Sequence, residues 1–175
     1  NINDRPSAFR YPRGNGFGFK LPDIKETLEI GKGRIISEGK KLAILNFGAR
    51  LNECKKAADI LKKKGITLSI FDARFAKPLD EKLIIELASN HEAIITIEEG
   101  SIGGFGSHVA KLLSDRGFFD KGLKFRSMFL PDKFLDQDTP EKMYKAAGLD
   151  CDSIVQKVES VLNSNIFIAK NKNLS

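Results

Sequence analysis

The 175-residue chain is long enough for one domain with its own core, and 41% of its residues are hydrophobic. Lys plus Arg number 29 against 23 Asp plus Glu, a formal charge of +6. The lysines fall on solvated helix faces (Lys55, Lys56, Lys62, Lys63, Lys64), Trp is absent and no basic stripe alternates with aromatics, so the charge does not read as a nucleic-acid surface. No apolar run approaches the length of about 18 residues that a membrane-spanning helix needs. Cys54 and Cys151 form no CxxC pair, and no signal peptide is visible. The expected setting is a reducing one, the cytoplasm or the stroma of a plastid-type organelle. The chain begins Asn-Ile-Asn-Asp, and Met128 and Met143 are its only methionines. We therefore expect a processed protein or a piece of a longer one.

Residues 1–23 read as the end of a preceding domain running on as a linker. Residues 7–11 suit a short strand, which Pro12, Gly14, Gly16 and Gly18 break up. Arg13 stands between Pro12 and Gly14. A guanidinium on such restricted backbone can grip a phosphate or carboxylate through two parallel hydrogen bonds, although the spacing alone favours an ordinary surface arginine in a loop. The stretches 28–30 and 34–37 flank Gly31-Lys32-Gly33 and predict an antiparallel excursion at a sheet edge. Residues 42–47 (LAILNF) predict a buried strand ended by Gly48. A helix over 51–64 follows, with Leu51, Cys54, Ala57, Ala58 and Leu61 as its apolar stripe and Gly65 beyond its end. Residues 67–71 predict a second buried strand and 72–78 a loop at its carboxyl end. Asp80 is the expected cap of the next helix, which carries Leu83, Ile84 and Leu87. Residues 125–130 suit a fourth strand. Thr139-Pro140 opens a helix with an N-cap and N1 pairing and Gly148 at its end. Asp152 or Ser153 opens another, and the tail from Asn163 is polar and lysine-rich.

The alternation of strands and helices predicts an α/β fold of three layers, α/β/α, with a mostly parallel sheet and an antiparallel edge. The organising stretch is 93–113, AIITIEEGSIGGFGSHVAKLL. Residues 93–97 form the third buried strand. Glu98 and Glu99 follow, then Gly100, Gly103, Gly104 and Gly106, and Ser107 is the expected cap of a helix starting at His108. A glycine loop at a strand's carboxyl end can bind an anion at the helix N-terminus, or it can be a tight turn packed on a neighbour. The two glutamates and the absence of a Lys-Ser or Lys-Thr after the glycines favour the packed turn. Glu98 and Glu99 point to opposite faces if the strand continues, which speaks against a paired acid/base dyad. Arg74 is a candidate ion-pair partner for one of them. His91 reads as a turn residue, and His108 lies in the first helical turn without a Ser or Cys nucleophile motif to serve. Two histidines and two cysteines at these separations match no zinc spacing.

Taken together, several segments resemble a known family. They are RYPRGNG (10–16), LEIGKG (28–33), LAILNFG (42–48), DARFAKPLD (72–80), TIEEGSIGGFGSHV (96–109), LPDKF (130–134) and AAGLD (146–150). Their order and spacing are similar to the carboxyl end of the 1-deoxy-D-xylulose 5-phosphate synthase family, over about residues 6–162. The glycine-loop portion is shared loosely with transketolases and with β subunits of 2-oxo acid dehydrogenases, whereas RYPRG points to the synthase. The resemblance implies a parent of three α/β domains, working as a homodimer with thiamine diphosphate and Mg2+. It joins decarboxylated pyruvate to glyceraldehyde 3-phosphate for isoprenoid, thiamine and pyridoxal synthesis. It also implies that residues 1–23 end the pyrimidine-binding domain, 24–163 form the transketolase C-terminal domain and 164–175 a polar tail. The resemblance further implies that the cofactor and metal sites and the catalytic residues belong to upstream regions outside this chain. One functional position carries over: Arg13 matches the arginine that binds the phosphate of glyceraldehyde 3-phosphate. The alternatives are the same domain of another thiamine-dependent, transketolase-like enzyme, or a free-standing, non-enzymatic domain that binds phosphorylated ligands or partners.

Overall fold

The computed structural model describes residues 3–9, 11, 23 and 26–163. In chain order the elements are β1 (Arg34–Ser37), β2 (Leu42–Phe47), α1 (Leu51–Lys63), β3 (Ser69–Asp72), α2 (Glu81–Asn90), β4 (Ala93–Glu98), α3 (Phe105–Asp115), β5 (Lys124–Met128), α4 (Pro140–Ala146) and α5 (Cys151–Asn163). They form one five-stranded sheet in the order β1-β3-β2-β4-β5. All pairings are parallel except that of β1 with β3, which is antiparallel at the edge. The three-layer α/β/α reading and its antiparallel edge are therefore what the chain adopts.

Period-two side-chain alternation builds two cores. Leu42, Ile44, Ile70, Ile95 and Ile97 face one side, where they meet Cys54, Ala57 and Leu61 of α1 and Ile154, Val158 and Val161 of α5. Ala43, Leu45, Phe71 and Ile94 face the other, against Ile84 and Leu87 of α2 and Phe105, Val109 and Leu113 of α3. Strands buried on both faces explain the unbroken apolar runs of β2 and β4. The connection from β2 leads to β3 on one side, whereas that from β4 leads to β5 on the other. The carboxyl ends of β2 and β4 thus flank a topological switch point, where open α/β sheets place their ligands.

Several boundaries differ from the sequence expectations. The second buried strand covers Ser69–Asp72 rather than 67–71, because Leu68 is buried in the core while lying outside the ladder. The edge excursion keeps its antiparallel strand β1, but residues 28–30 form no strand; the Lys32 N–H closes a turn onto the Glu29 carbonyl at 3.1 Å instead. Residues 7–9 form no strand either. The fourth strand is Lys124–Met128, two residues shorter at its end than expected. Asp80 caps α2 as expected, its Oδ1 accepting the Leu83 N–H at 3.1 Å. The last helix starts at Cys151, because the Asp150 carboxylate accepts the Ser153 N–H at 3.1 Å and so takes the capping role. α3 starts at Phe105, not His108, for a reason that lies in the site itself.

Candidate functional site

At the end of β4 the chain buries a carboxylate. Glu98 is 4% exposed and points to the α2/α3 face. Its Oε2 accepts the Phe105 N–H at 3.1 Å and its Oε1 the Gly106 N–H at 2.8 Å. A buried carboxylate is costly unless its lone pairs are filled, and the free N–H groups at a helix start carry a positive partial charge that suits it. Glu98 is thus the anion at the α3 N-terminus, supplied by the chain itself. This is why α3 begins three residues early. Ser107 sits inside the helix, where its Oγ accepts the Gly103 N–H at 2.9 Å, and it does not cap.

The glycines follow from the same packing. A Cβ on Gly100 would lie 2.3 Å, and one on Gly104 2.5 Å, from the Glu98 Oε2. A Cβ on Gly106 would meet the Thr96 and Ser127 hydroxyls at 2.7 and 2.8 Å, where α3 crosses the sheet. Gly103 has φ +92°, a left-handed conformation in which a side chain is strained. These glycines make the loop a tight turn that closes on the chain's own Glu98, Thr96 and Ser127 rather than on a neighbouring domain or subunit.

Glu99 turns the other way, so the two glutamates part as expected. Its partner is Arg50, just before α1, and not Arg74. The Arg50 Nε donates to Glu99 Oε1 at 2.8 Å, with side chains 11% and 10% exposed. The Arg50 guanidinium also lies over the Tyr144 ring of α4, 3.5 Å from its centroid. This group spans the switch point, joining the start of α1, the end of β4 and α4. Beside it, Asn46 at the end of β2 is fully buried and donates from Nδ2 to the Gly48 carbonyl at 2.9 Å; its Oδ1 has no hydrogen-bond partner among the described residues.

Next to this group opens a cleft of about 940 Å³. Its walls include Tyr11, Phe47, Asp72, Arg74, Lys77 and Glu99. Arg74 follows β3 with φ +59°, a left-handed conformation that an arginine adopts at a cost of order 1 kcal/mol and that marks functional loops. Asp72 is held by Arg34, whose Nε donates to its Oδ2 at 3.0 Å. Among the described residues, neither Arg74 nor Lys77 forms an ion pair. The cleft therefore offers cations whose charge is not spent within the described protein, while its carboxylates are paired.

The sequence-level candidates separate accordingly. Arg13 lies outside the described residues; Tyr11, two positions before it, lines the cleft. His91 is a structural link: its Nδ1 bonds the Leu87 carbonyl at 2.9 Å and its Nε2 the Ser69 hydroxyl at 2.7 Å. A carbonyl only accepts, so Nδ1 carries a proton. His108 is exposed on α3. Cys54 is a fully buried core residue as expected, and burial pushes its thiol up to about 12. Sequence reasoning missed Arg50 and Tyr144, because partners 49 and more residues apart leave no local pattern. The legible signal was indirect: a charged residue next to a five-residue apolar run needs a partner, and four glycines after it mark where backbone closes on something.

Comparison with known proteins bears on what this arrangement serves. Residues 31–154 match the family described as "Transketolase, C-terminal domain". The structure is similar to that titled "Split gene transketolase, inactive beta4 tetramer", with a TM-score of 0.70 and 31% sequence identity, over 77% of this chain and 43% of that one. It is also similar in fold to a transketolase from Campylobacter jejuni subsp. jejuni NCTC 11168, with a TM-score of 0.53 and 16% identity, over 74% of this chain and 18% of that one. The chain thus spans less than half the length of either of these structures. With the family match covering most of its length and all five strands, the chain belongs to the transketolase C-terminal domain family.

Proposed function

We propose that this chain is the carboxyl-terminal part of a 1-deoxy-D-xylulose 5-phosphate synthase, a thiamine diphosphate-dependent transferase. The parent would condense pyruvate with glyceraldehyde 3-phosphate to 1-deoxy-D-xylulose 5-phosphate and CO2, as a homodimer in the cytoplasm or a plastid-type stroma. This chain contributes domain packing, dimer contacts and the grip on the substrate's phosphate. The observation that carries the reading is the cleft at the sheet's carboxyl edge. Arg74 and Lys77 face it, and the segment leading to Arg13 borders it through Tyr11. A dianionic phosphate suits two arginines brought from separate segments, each able to give parallel hydrogen bonds. The RYPRGNG and DARFAKPLD segments hold these two arginines; both are among the segments that carry the resemblance, and RYPRG is the one that points to the synthase.

The described residues do not fit the cofactor or its metal. No three of their His, Cys, Asp and Glu side chains are grouped to hold a metal ion. The α3 N-terminus, which would otherwise suit a diphosphate, is occupied by Glu98. In this reading, which rests on the resemblance, thiamine diphosphate and Mg2+ belong to upstream domains of the parent, and residues 1–23 end the pyrimidine-binding domain.

A second reading, the same domain of a transketolase acting on ketose donors, draws support from the 31% identity to the split-gene transketolase. Donor choice separates the two. The parent protein, assayed with glyceraldehyde 3-phosphate, should release CO2 from pyruvate and show no turnover with a ketose phosphate donor; the opposite preference would overturn the synthase reading. In the same assay Arg13→Ala should raise the KM for glyceraldehyde 3-phosphate at least about tenfold, the loss of one charge-assisted contact. An unchanged KM would remove Arg13 from the site.

A further inference from the structure

The cleft presents a puzzle of charge. Two carboxylates, Asp72 and Glu99, stand in the wall of a site read as binding an anion. Like charge at that range opposes binding, and the penalty is largest where water is partly excluded. Each carboxylate, however, is engaged by an arginine that is not itself part of the cleft wall: Asp72 by Arg34 and Glu99 by Arg50. The two pairs differ in burial. The difference lies in the arginines: Arg34 is about half exposed, so water reaches that pair through its cation, whereas Arg50 and Glu99 are both about nine-tenths buried. Screening by water is weak at Glu99, so the Arg50 charge counts there. Tyr144 covers the guanidinium face and fixes its plane, so the Nε stays aimed at Glu99.

We propose that Arg50 is a positioning residue for anion binding: it acts through Glu99, neutralising and holding that carboxylate at the switch point so that the cleft accepts a phosphate. The inference rests on the reading of the cleft as a phosphate site and adds a residue outside the cleft that sets its affinity. It follows that the carboxylate and the arginine matter as a pair. Removing Arg50 takes a positive charge from beside the wall. Removing Glu99 takes a negative charge from the wall. Removing both restores the balance.

The test is calorimetric titration of inorganic phosphate into the 175-residue chain at fixed ionic strength, with folding of each variant checked by thermal unfolding. Arg50→Gln should weaken phosphate binding about tenfold. Arg50→Lys, which keeps the charge, should stay within about threefold of the unaltered chain. Glu99→Gln should tighten binding by about threefold, and the double variant should return to within about twofold. The direction of the Glu99→Gln effect is decisive, since a merely structural role for the pair predicts weakening; it settles the matter even where Arg50→Gln does not fold. Weaker binding by Glu99→Gln, or unchanged binding by a folded Arg50→Gln, overturns the inference and leaves the phosphate site standing. No binding of phosphate by the unaltered chain overturns both.

Discussion

Two loops leave the same edge of this sheet and solve opposite problems. The loop after β4 closes on itself: Glu98 fills the helix N-terminus, and Gly100 and Gly104 leave room for its carboxylate. The loop after β3 stays open: Arg74 holds a left-handed backbone and, with Lys77, faces a cleft without an ion pair among the described residues. One loop holds its own anion, and the other turns cations toward the cleft. A glycine-rich strand-to-helix turn is therefore no sign of a ligand by itself; what decides is whether the chain supplies its own anion.

The comparison breaks most readily at Glu98. Glu98→Ala leaves two buried N–H groups unpaired and a void beside Phe105, and should cost about 3–5 kcal/mol in denaturant unfolding. A cost under about 1 kcal/mol would mean that the closed loop is not held by this carboxylate. Gly104→Ala drives a methyl toward the same oxygen and should cost about 2 kcal/mol; a neutral outcome would show that Glu98 has room to move. A baseline is needed for either loop at alkaline pH, and the core sets it. Cys54 has its thiol raised to about 12 from 9.0 by burial. Below pH 9 both folded and unfolded states keep this proton and the group contributes no slope. Between about 9 and 12 the unfolded state loses it first, so stability should fall by up to about 1.4 kcal/mol per pH unit relative to Cys54→Ala. Parallel pH profiles of the two proteins would contradict this. The smallest effect sharpens the open side. Arg74→Gly should raise stability by about 0.5–1 kcal/mol by relieving the φ of +59°, while weakening phosphate binding. Loss of stability instead would make Arg74 a packing residue.

The fold was legible where short-range physics determines it. β2 runs from Leu42 to Phe47 as expected because an apolar run between Lys41 and Gly48 has one reading, and the parity of its side chains assigns both cores. The helix stripes of α1 and α2 were legible for the same reason. The site was legible only in part. Ser107 reads as a helix cap because caps are usually local, yet Glu98 caps α3 from nine residues before Ser107, through a loop whose path the sequence does not show. Arg74 reads as a glutamate's partner because it follows a strand, but Arg50 follows one too; the strand order places β2 beside β4 and β3 one strand further away, and so gives Glu99 to Arg50. That order is a property of the whole sheet. The two-residue error at the start of β3 is of the same kind, since Leu68 is apolar for the core and not for the ladder.

The contrast between the loops can be tested in one titration. Backbone amide chemical shifts of the chain, followed by NMR as inorganic phosphate is added, should move at Gly48, Ala49 and residues 74–77, and should stay still at Gly103 to Ser107, whose helix end already holds a carboxylate. Shifts concentrated at Gly103 to Ser107, with residues 74–77 unmoved, would contradict the account: the glycine loop would then be the anion site and the cleft only a groove between segments.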